Sequence, residues 1–487
     1  MGGGRLTRVN ILICSSEAVP FAKTGGLADV AGALPKALSA LGHDVRLALP
    51  KYGMVYDRKI SGTKVLDGLQ IPAGAKARRV TVQSSNKGGD FLTYLIVNDP
   101  LFRRNGLYGH PDDDERFVVY QRAVLEMLRK IDWKPDVIHC NDWQTGLMPV
   151  YLRTKYAADE RLGRIPVLYT VHNLAYQGVF QPTLLNLAGL PQDLFTTDKL
   201  EFWGKVNCMK GGLLYADVLS TVSPTYSREI QTPEFGAGLD GVLRDRKDVL
   251  FGVLNGIDFE EWNPATDKYI PVHFDATCPE KKRENKAHLQ DKMRLPRKSA
   301  PIFGLVSRLA AQKGLDILME AMPRMLGKDL QVVVLGSGDD EYHQALRKAQ
   351  AKFPEKVYAE VGVFDEALAR LIYAGSDFFL MPSHYEPCGL GQMNSMRYGT
   401  IPVVRSTGGL ADTVHEFDPA TGRGNGFVFA DYTAPALLSA VERALATYAD
   451  PSAHARLMAN AMAADFTWAR SAREYVALYE KAISLRR

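Results

Sequence analysis

Short apolar runs recur along the chain, separated by amphipathic stretches of helical period. In the first half they are Val9–Cys14, Val45–Leu49, Phe91–Val97, Asp136–Cys140, Pro166–Val171 and Val218–Val222. In the second they are Pro301–Val306, Gln331–Leu335, Val357–Val363, Asp377–Met381 and Ile401–Val404. Most are continuous rather than alternating, which is the pattern of parallel strands buried on both faces. Between them, stretches such as Leu34–Leu41 closed by Gly42 and Leu315–Met325 closed by Gly327 read as helices. Strand–helix alternation predicts doubly wound, mostly parallel α/β sheets.

The alternation breaks between Thr232 and Ala300, where Pro233, Gly236, Gly238 and Pro264 fall among charged residues, and it restarts at Pro301. This predicts two domains, 1–248 and 249–465, followed by a segment, 466–487, whose Phe466–Leu485 stretch is helical by period. A chain of 487 residues is too long for one core, which agrees. Composition narrows the class further. With 59 basic against 55 acidic residues there is no basic excess of the kind that nucleic-acid binding asks for. Lys281–Lys282–Arg283 is flanked by Glu280 and Glu284 and reads as a solvated helix face. No apolar stretch is long enough to span a membrane. Arg5 and Arg8 precede Val9–Cys14, but that run is too short for a signal peptide and charge follows at once, so it reads as a first strand. Five cysteines, odd in number and without a C-x-x-C, argue against a disulfide framework or a zinc site and for a reducing, cytoplasmic compartment.

In open α/β sheets, ligands bind beyond the carboxyl ends of the strands. The residues expected there are chemically distinctive. Glu17, Lys23 and Thr24-Gly25-Gly26 follow the first strand, and His172 and Asn173 follow Pro166–Val171. Arg308 and Lys313 follow Pro301–Val306, and Gly336 follows Gln331–Leu335. His384 and Glu386 follow Asp377–Met381, and Thr407-Gly408-Gly409 follows Ile401–Val404. Glycines, cations and a carboxylate thus gather at one edge of each sheet. The sextet Thr-Gly-Gly-Leu-Ala-Asp occurs twice, at 24–29 and 407–412, one loop design per domain. Glycine pairs let backbone approach a ligand, and their N–H groups near a helix start suit an anion. Two cations beside such loops can neutralise a diphosphate without a metal. Asp112-Asp113-Asp114 spells the D-x-D of metal-dependent transferases, yet it precedes a helical run and reads as an acidic helix start. The expectation is therefore no metal and no other cofactor.

These motifs resemble the bacterial glycogen synthases and plant starch synthases. The resemblance is carried by Lys23-Thr24-Gly25-Gly26-Leu27-Ala28-Asp29-Val30, by Val171-His172-Asn173-Leu174-Ala175-Tyr176-Gln177-Gly178 and by Asn255-Gly256-Ile257-Asp258. It is carried equally by Ser307-Arg308-Leu309, Gln312-Lys313-Gly314 and Glu386-Pro387-Cys388-Gly389-Leu390, and it runs from about Val9 to Tyr479. It implies a GT-B fold, two Rossmann-like domains with the active site in an interdomain cleft, and a terminal helix that crosses back to the N-terminal domain. It implies transfer of glucose from ADP-glucose to the non-reducing end of an α-1,4-glucan, glycogen or starch, with no nucleic-acid or membrane partner. The oligomeric state stays open.

By position, the resemblance puts Lys23 on diphosphate and acceptor-side groups, Arg308 and Lys313 on the diphosphate, His172 beside the glucose ring, and Glu386 on a glucose hydroxyl. Asp142 matches a cleft aspartate, Glu17 an acid before the signature, and Phe364 an aromatic beside the base. Gly25, Gly26, Asn173, Gly336, Cys388, Gly389, Leu390, Thr407, Gly408 and Gly409 complete the implied substrate-binding set. Asn141 stands where the family often has His, Gly391 where it often has Thr or Ile, and Asn394 where related enzymes carry a ribose-binding Glu. The implied reaction retains the α configuration. No clear second carboxylate is available as nucleophile, which favours a front-face displacement. Rival readings are a UDP-glucose transferase of the same fold and a non-catalytic glucan-binding protein. A dehydrogenase is disfavoured, because no G-x-G-x-x-G follows the first strand.

Overall fold

The computed structural model describes residues 8–486, so Arg5 lies outside the described residues. The chain forms two compact units. The first comprises the residues up to Val222, Ser227–Gly256 and the segment from Trp468 onward; the second comprises Ser223–Tyr226 and Ile257–Thr467.

The strands of the first unit are β1 (Asn10–Cys14), β2 (Asp44–Pro50), β3 (Thr63–Ala73), β4 (Lys76–Ser85), β5 (Leu92–Val97), β6 (Val137–Asn141), β7 (Val167–Val171), β8 (Val179–Phe180), β9 (Glu201–Phe202), β10 (Lys205–Asn207), β11 (Val218–Thr221) and β12 (Leu250–Gly252). Nine of them make one sheet in the order β12-β11-β7-β6-β1-β2-β5-β4-β3, and β8-β10-β9 make a small antiparallel sheet. The seven strands from β12 to β5 run parallel, and β4 and β3 extend that sheet antiparallel. The buried runs do form the parallel strands, as their continuous apolar pattern predicts. Strands β3 and β4 were not predicted, because only three positions in each are buried and charged or polar residues interrupt them.

The division between the units falls after Gly256 rather than at residue 248. The cause is β12, which pairs in parallel with β11 and so keeps 227–256 with the first unit. The helix Trp468–Ser484 belongs to that unit as well. It lays Trp468, Ala472, Tyr475, Val476 and Tyr479 into the core formed by Ile11, Ile13, Leu34, Leu38, Leu47 and Leu49. Tyr479 Oη lies 2.9 Å from His139 Nδ1 on β6.

In the second unit, β13 (Ile302–Leu309), β14 (Gln331–Gly338), β15 (Val357–Val361), β16 (Phe378–Met381), β17 (Ile401–Arg405) and β18 (Phe427–Phe429) form an all-parallel sheet in the order β15-β14-β13-β16-β17-β18. This is the 3-2-1-4-5-6 order of a Rossmann sheet, and the parallel part of the first sheet repeats it. In each unit the chain reverses its winding at one point: between β1 and β6 in the first, between β13 and β16 in the second. Crevices open at such switch points, at the carboxyl ends of the strands.

Candidate active site

In the first unit, the loop after β1 turns back on itself. Glu17 is buried, and its Oε2 accepts from Thr24 N at 2.5 Å, Gly25 N at 3.1 Å and Thr24 Oγ1 at 3.0 Å. Of the two glycine amides expected to meet an external anion, that of Gly25 is thus engaged by the chain's own carboxylate, through a charge-assisted bond. That fixes the loop in which Lys23 and Gly26 stand exposed, at the start of the helix Gly26–Ala40. Lys23 Nζ donates to Asp29 Oδ1 at 2.7 Å.

Across the switch point, β6 ends at Asn141 and Asp142 follows with φ +55°, a left-handed conformation that a non-glycine residue adopts at a cost. Its Oδ1 accepts from His172 N at 2.7 Å. Burial pushes the Asp142 pKa up to about 7, against the pull of the His172 and Asn173 amides, and the nearby Glu17 charge adds to the rise. His172, just past β7, points its Nε2 at Asn141 Oδ1, 2.8 Å away. Asn141 Nδ2 donates to Cys14 O at 3.0 Å, so its oxygen faces the ring and His172 Nε2 carries the proton. Burial lowers the His172 pKa to about 3, so the ring is neutral near pH 7. Asn173 Oδ1 turns inward to accept from Ala175 N at 3.0 Å. Beside these residues lies a groove of about 470 Å³ lined by His110, Trp143, Tyr176, Gln177 and Phe180 among others. Trp143 lies edge-on to Phe117 and 5.4 Å from Phe180 by ring centroids, and Tyr176 is 55% exposed.

In the second unit, Lys313 and Glu386 meet. They stand 73 positions apart, yet Lys313 Nζ lies 2.6 Å from Glu386 Oε2, and Ser383 Oγ donates to the same oxygen at 3.1 Å. Glu386 is buried, a carboxylate held by a cation and a hydroxyl. Gln312 ties the cation loop to the Glu386 loop: its Oε1 accepts from Arg308 Nη2 at 3.2 Å, its Nε2 donates to Tyr385 O at 3.3 Å, and its carbonyl accepts from His384 N at 2.9 Å. Arg308 itself is exposed at the carboxyl end of β13, next to Gly336 and Ser337 of β14. Gly409 N donates to Glu386 O and Pro387 O, both at 3.1 Å. A Cβ on Gly408, whose φ is +44°, would overlap the Glu386 carbonyl oxygen, and one on Gly409 would overlap that of Cys388. Thr407 and Cys388 are buried supports, and Leu390 precedes the short helix Gly391–Arg397. Gly389 takes φ +72° in the same loop. Phe364 is 65% exposed in the loop after β15.

The structure thus gathers Glu17, Gly25, Asp142, His172 and Asn173 at one switch point, and Arg308, Lys313, Glu386, Thr407, Gly408 and Gly409 at the other. Asn141, Gln312 and Ser383 carry supporting roles that sequence reasoning missed. All three are neutral polar residues; Asn141 and Gln312 meet partners far along the chain, at His172 and Tyr385, whereas Ser383 reaches Glu386 only three residues on. Asp112, Asp113 and Asp114 open the helix Asp113–Leu128; Asp112 pairs with Arg104 at 2.6 and 2.9 Å, and Asp113 with Arg116. Among the described residues, no group of three or more His, Cys, Asp or Glu is placed to hold a metal ion. All five cysteines are free thiols, and among the described residues no helix is long and apolar enough to cross a membrane.

Comparison with known proteins extends these observations to the whole chain. A family model described as the starch synthase catalytic domain matches residues 10–245, and one for glycosyl transferases group 1 matches residues 289–462. The chain is 49% identical to a glycogen synthase of Thermotoga petrophila over 487 residues, 98% of this chain and 99% of that one. It is 49% identical to a glycogen synthase of Desulforudis audaxviator, covering 98% and 97%. Among solved structures, the catalytic domain of starch synthase IV from Arabidopsis thaliana, bound to ADP and acarbose, matches with TM-score 0.90 and 35% identity over 98% of this chain and all of that one. A sucrose-phosphate synthase from Thermosynechococcus elongatus shares the fold at TM-score 0.60 and 19% identity, covering 98% of this chain and 100% of its own. The chain belongs to the glycogen and starch synthase family of glycosyltransferases.

Proposed function

We propose that the protein transfers glucose from ADP-glucose to the non-reducing end of an α-1,4-glucan with retention of configuration, and that it does so without a metal. The observation that carries this reading is the buried Glu386 carboxylate held at 2.6 Å by Lys313 at the switch point of the second unit, with Arg308 exposed beside it. A buried acceptor group suits sugar hydroxyls, and two cations suit a leaving diphosphate. Preorganised charges of this kind are the usual means of stabilising a transition state in which negative charge builds on the leaving group. Lys313 would pass from Glu386 to the incoming phosphate, freeing a carboxylate oxygen for glucose. Gly408 and Gly409 set the position of the Glu386 backbone, and exposed Phe364 offers a face to the nucleotide base. In the first unit, the groove beside Trp143, Tyr176 and Phe180 suits the acceptor chain, because aromatic faces stack on sugar rings while His110 can meet hydroxyls. His172 is neutral and oriented by Asn141, so it adds no charge beside a sugar ring that becomes cationic. ADP and acarbose are the ligands of the Arabidopsis structure, which supports an ADP-linked donor. Five free thiols fit a reducing cytoplasm.

The test is incorporation of labelled glucose into glycogen from ADP-glucose and from UDP-glucose, each with and without EDTA. The expected result is incorporation from ADP-glucose that chelation leaves intact. Preference for UDP-glucose would overturn the donor assignment. Activity lost in EDTA and restored by Mg²⁺ or Mn²⁺ would overturn the phosphate assignment. In the same assay, Arg308→Ala and Lys313→Ala should each lower kcat by about 10²–10³-fold, and the double variant should fall short of the product of the two.

A further inference from the structure

We propose that Trp203, at the tip of the small antiparallel sheet in the first unit, is a second stacking platform for the acceptor glucan, outside the groove at Trp143; this rests on the glucan reading above. Strands β9 and β10 are joined by Trp203 and Gly204, with φ values of +53° and +77°. Two successive positive φ values define the tight hairpin turn that Asn-Gly or Asp-Gly normally fills. A tryptophan in the first of those positions carries backbone strain, and here it is also 84% exposed. The fold therefore gains little from this side chain: it is strained, it stays in water, and a smaller residue would make the turn better. A strained backbone position carrying a large exposed side chain points to a functional role for that side chain.

The hairpin is built as a rigid support. Gly204 N donates to Glu201 Oε1 at 2.6 Å, and Lys210 Nζ donates to Glu201 O at 2.7 Å. The Trp203 ring stands edge-on to Phe202, 6.2 Å between centroids, and its Nε1 approaches Gly238, where a Cβ would already crowd Phe202. The turn at Ala237 is tied in turn to the groove: Gln177 Nε2 donates to Ala237 O at 3.0 Å, and Asn207 Nδ2 donates to Gln177 Oε1 at 2.6 Å. Pairing fixes the spacing. Phe180 faces Val206 and Val206 faces Glu201, so Trp203 sits two strands across and two residues along from Phe180. From strand geometry the two Cα positions are roughly 12 Å apart. That span covers several rings of a glucan chain, and both platforms lie on one small sheet whose register keeps them in place.

The occupant is an extended neutral polysaccharide rather than a protein. Trp203 is a single exposed aromatic among polar residues, not part of a contiguous apolar patch of the size protein interfaces use. The groove at the other side of the same small sheet is lined mainly by aromatic, apolar and neutral polar groups, with Asp113 its one carboxylate, and the chain belongs to a family of glucan-extending enzymes. A short acceptor would fill the groove alone, and only a longer chain would reach the hairpin.

The experiment compares Trp203→Ala and Trp203→Phe with the wild type, using glycogen and maltotriose as acceptors and native electrophoresis through glycogen-containing gels as a readout independent of turnover. Loss of one stacking contact should raise KM for glycogen roughly three- to tenfold in Trp203→Ala and reduce its retardation in the gel. The effect on maltotriose should be much smaller, and Trp203→Phe should recover most of the loss. Equal retardation of Trp203→Ala and wild type overturns the proposal, and so does an equal rise in KM for both acceptors. Thermal melting identifies a variant that has lost its fold, in which case Trp203→Phe and a Trp203→Asn turn replacement carry the comparison. A wild type that neither extends nor binds glycogen would instead refute the glucan reading, and this proposal with it.

Discussion

At Thr24–Asp29 and at Thr407–Asp412 the chain spells the same six residues at the start of a helix, but the two glycine pairs meet different surroundings. In the first copy the loop is open. Gly25 has φ −146°, and a Cβ there would find only a Glu17 oxygen at 3.7 Å; its N–H and that of Thr24 bind the Glu17 carboxylate. In the second copy the pair is pressed against the backbone of Glu386–Cys388, Gly408 is left-handed, and neither position has room for a Cβ. The closing aspartates differ too. Asp29 takes Lys23, whereas Asp412 accepts from Ser223 Oγ at 2.5 Å, Thr225 N at 2.9 Å and Thr225 Oγ1 at 2.6 Å. The sequence of the sextet sets the local turn into a helix in both places. What comes against its glycines decides whether the loop takes a side-chain carboxylate or admits a neighbouring backbone.

The comparison can be broken from the second copy first. If that copy exists to seat the Glu386 loop, Glu386→Gln should lower kcat by about 10²–10³-fold with a much smaller change in donor KM, since an amide accepts hydroxyl hydrogen bonds more weakly than a carboxylate. A kcat within about threefold of wild type, less than 1 kcal/mol of barrier, would remove Glu386 from the reaction. Next in size, Gly408→Ala should cost more than about 2 kcal/mol of stability and depress kcat with it, because both strain and overlap are imposed on one backbone. Gly25→Ala should cost less than about 1 kcal/mol. Denaturant titration of the two variants checks the asymmetry, and equal costs would dissolve it.

The first copy is probed more gently by Glu17→Gln. Loss of the charge on the Thr24 and Gly25 amides should cost about 1–3 kcal/mol. The last effect is electrostatic and depends on pH. The raised Asp142 pKa means that the folded chain binds a proton more tightly than the unfolded chain from about pH 4 to pH 7. This group therefore makes stability fall as pH rises through that window and level off above it. Asp142→Asn should abolish its contribution. Glu17→Gln should shift the upper end of the window down by less than about one pH unit, because one of the charges raising Asp142 is gone. Melting temperature followed from pH 4 to 8 in the three proteins resolves this.

Those contrasts also mark what could be read without coordinates. The strands that carry the site are buried on both faces, so their unbroken apolar runs give them away, and the polar residues just past each run become site candidates by position alone. Strands β3 and β4 escaped because solvent covers much of them, and the small sheet, β12 and β18 escaped because strands of two or three residues leave no period to detect. That omission hid Trp203. Partnerships were equally out of reach. Nothing local to Lys313 announces Glu386, and Asn141 reads as a departure from the family's usual His until its oxygen is seen on His172 Nε2. The Gly25 amide was credited with an external anion, because the sequence does not reveal that Glu17 curls back to accept from it.

The helix Trp468–Ser484 completes the core of the unit that begins at the other end of the chain. On the ribosome, the first unit must therefore wait, with Ile11, Leu34 and Leu38 lacking their cover, until the whole second unit has been synthesised. Synthesis proceeds at about 5–20 residues per second, so that delay lasts some tens of seconds and leaves an apolar surface open to chaperones. A nonsense mutation or proteolytic cut just before Trp468 would spare the sheet that carries Glu386 and strip the sheet that carries His172. In a cell, the tail of the message thus acts as quality control on the head of the protein.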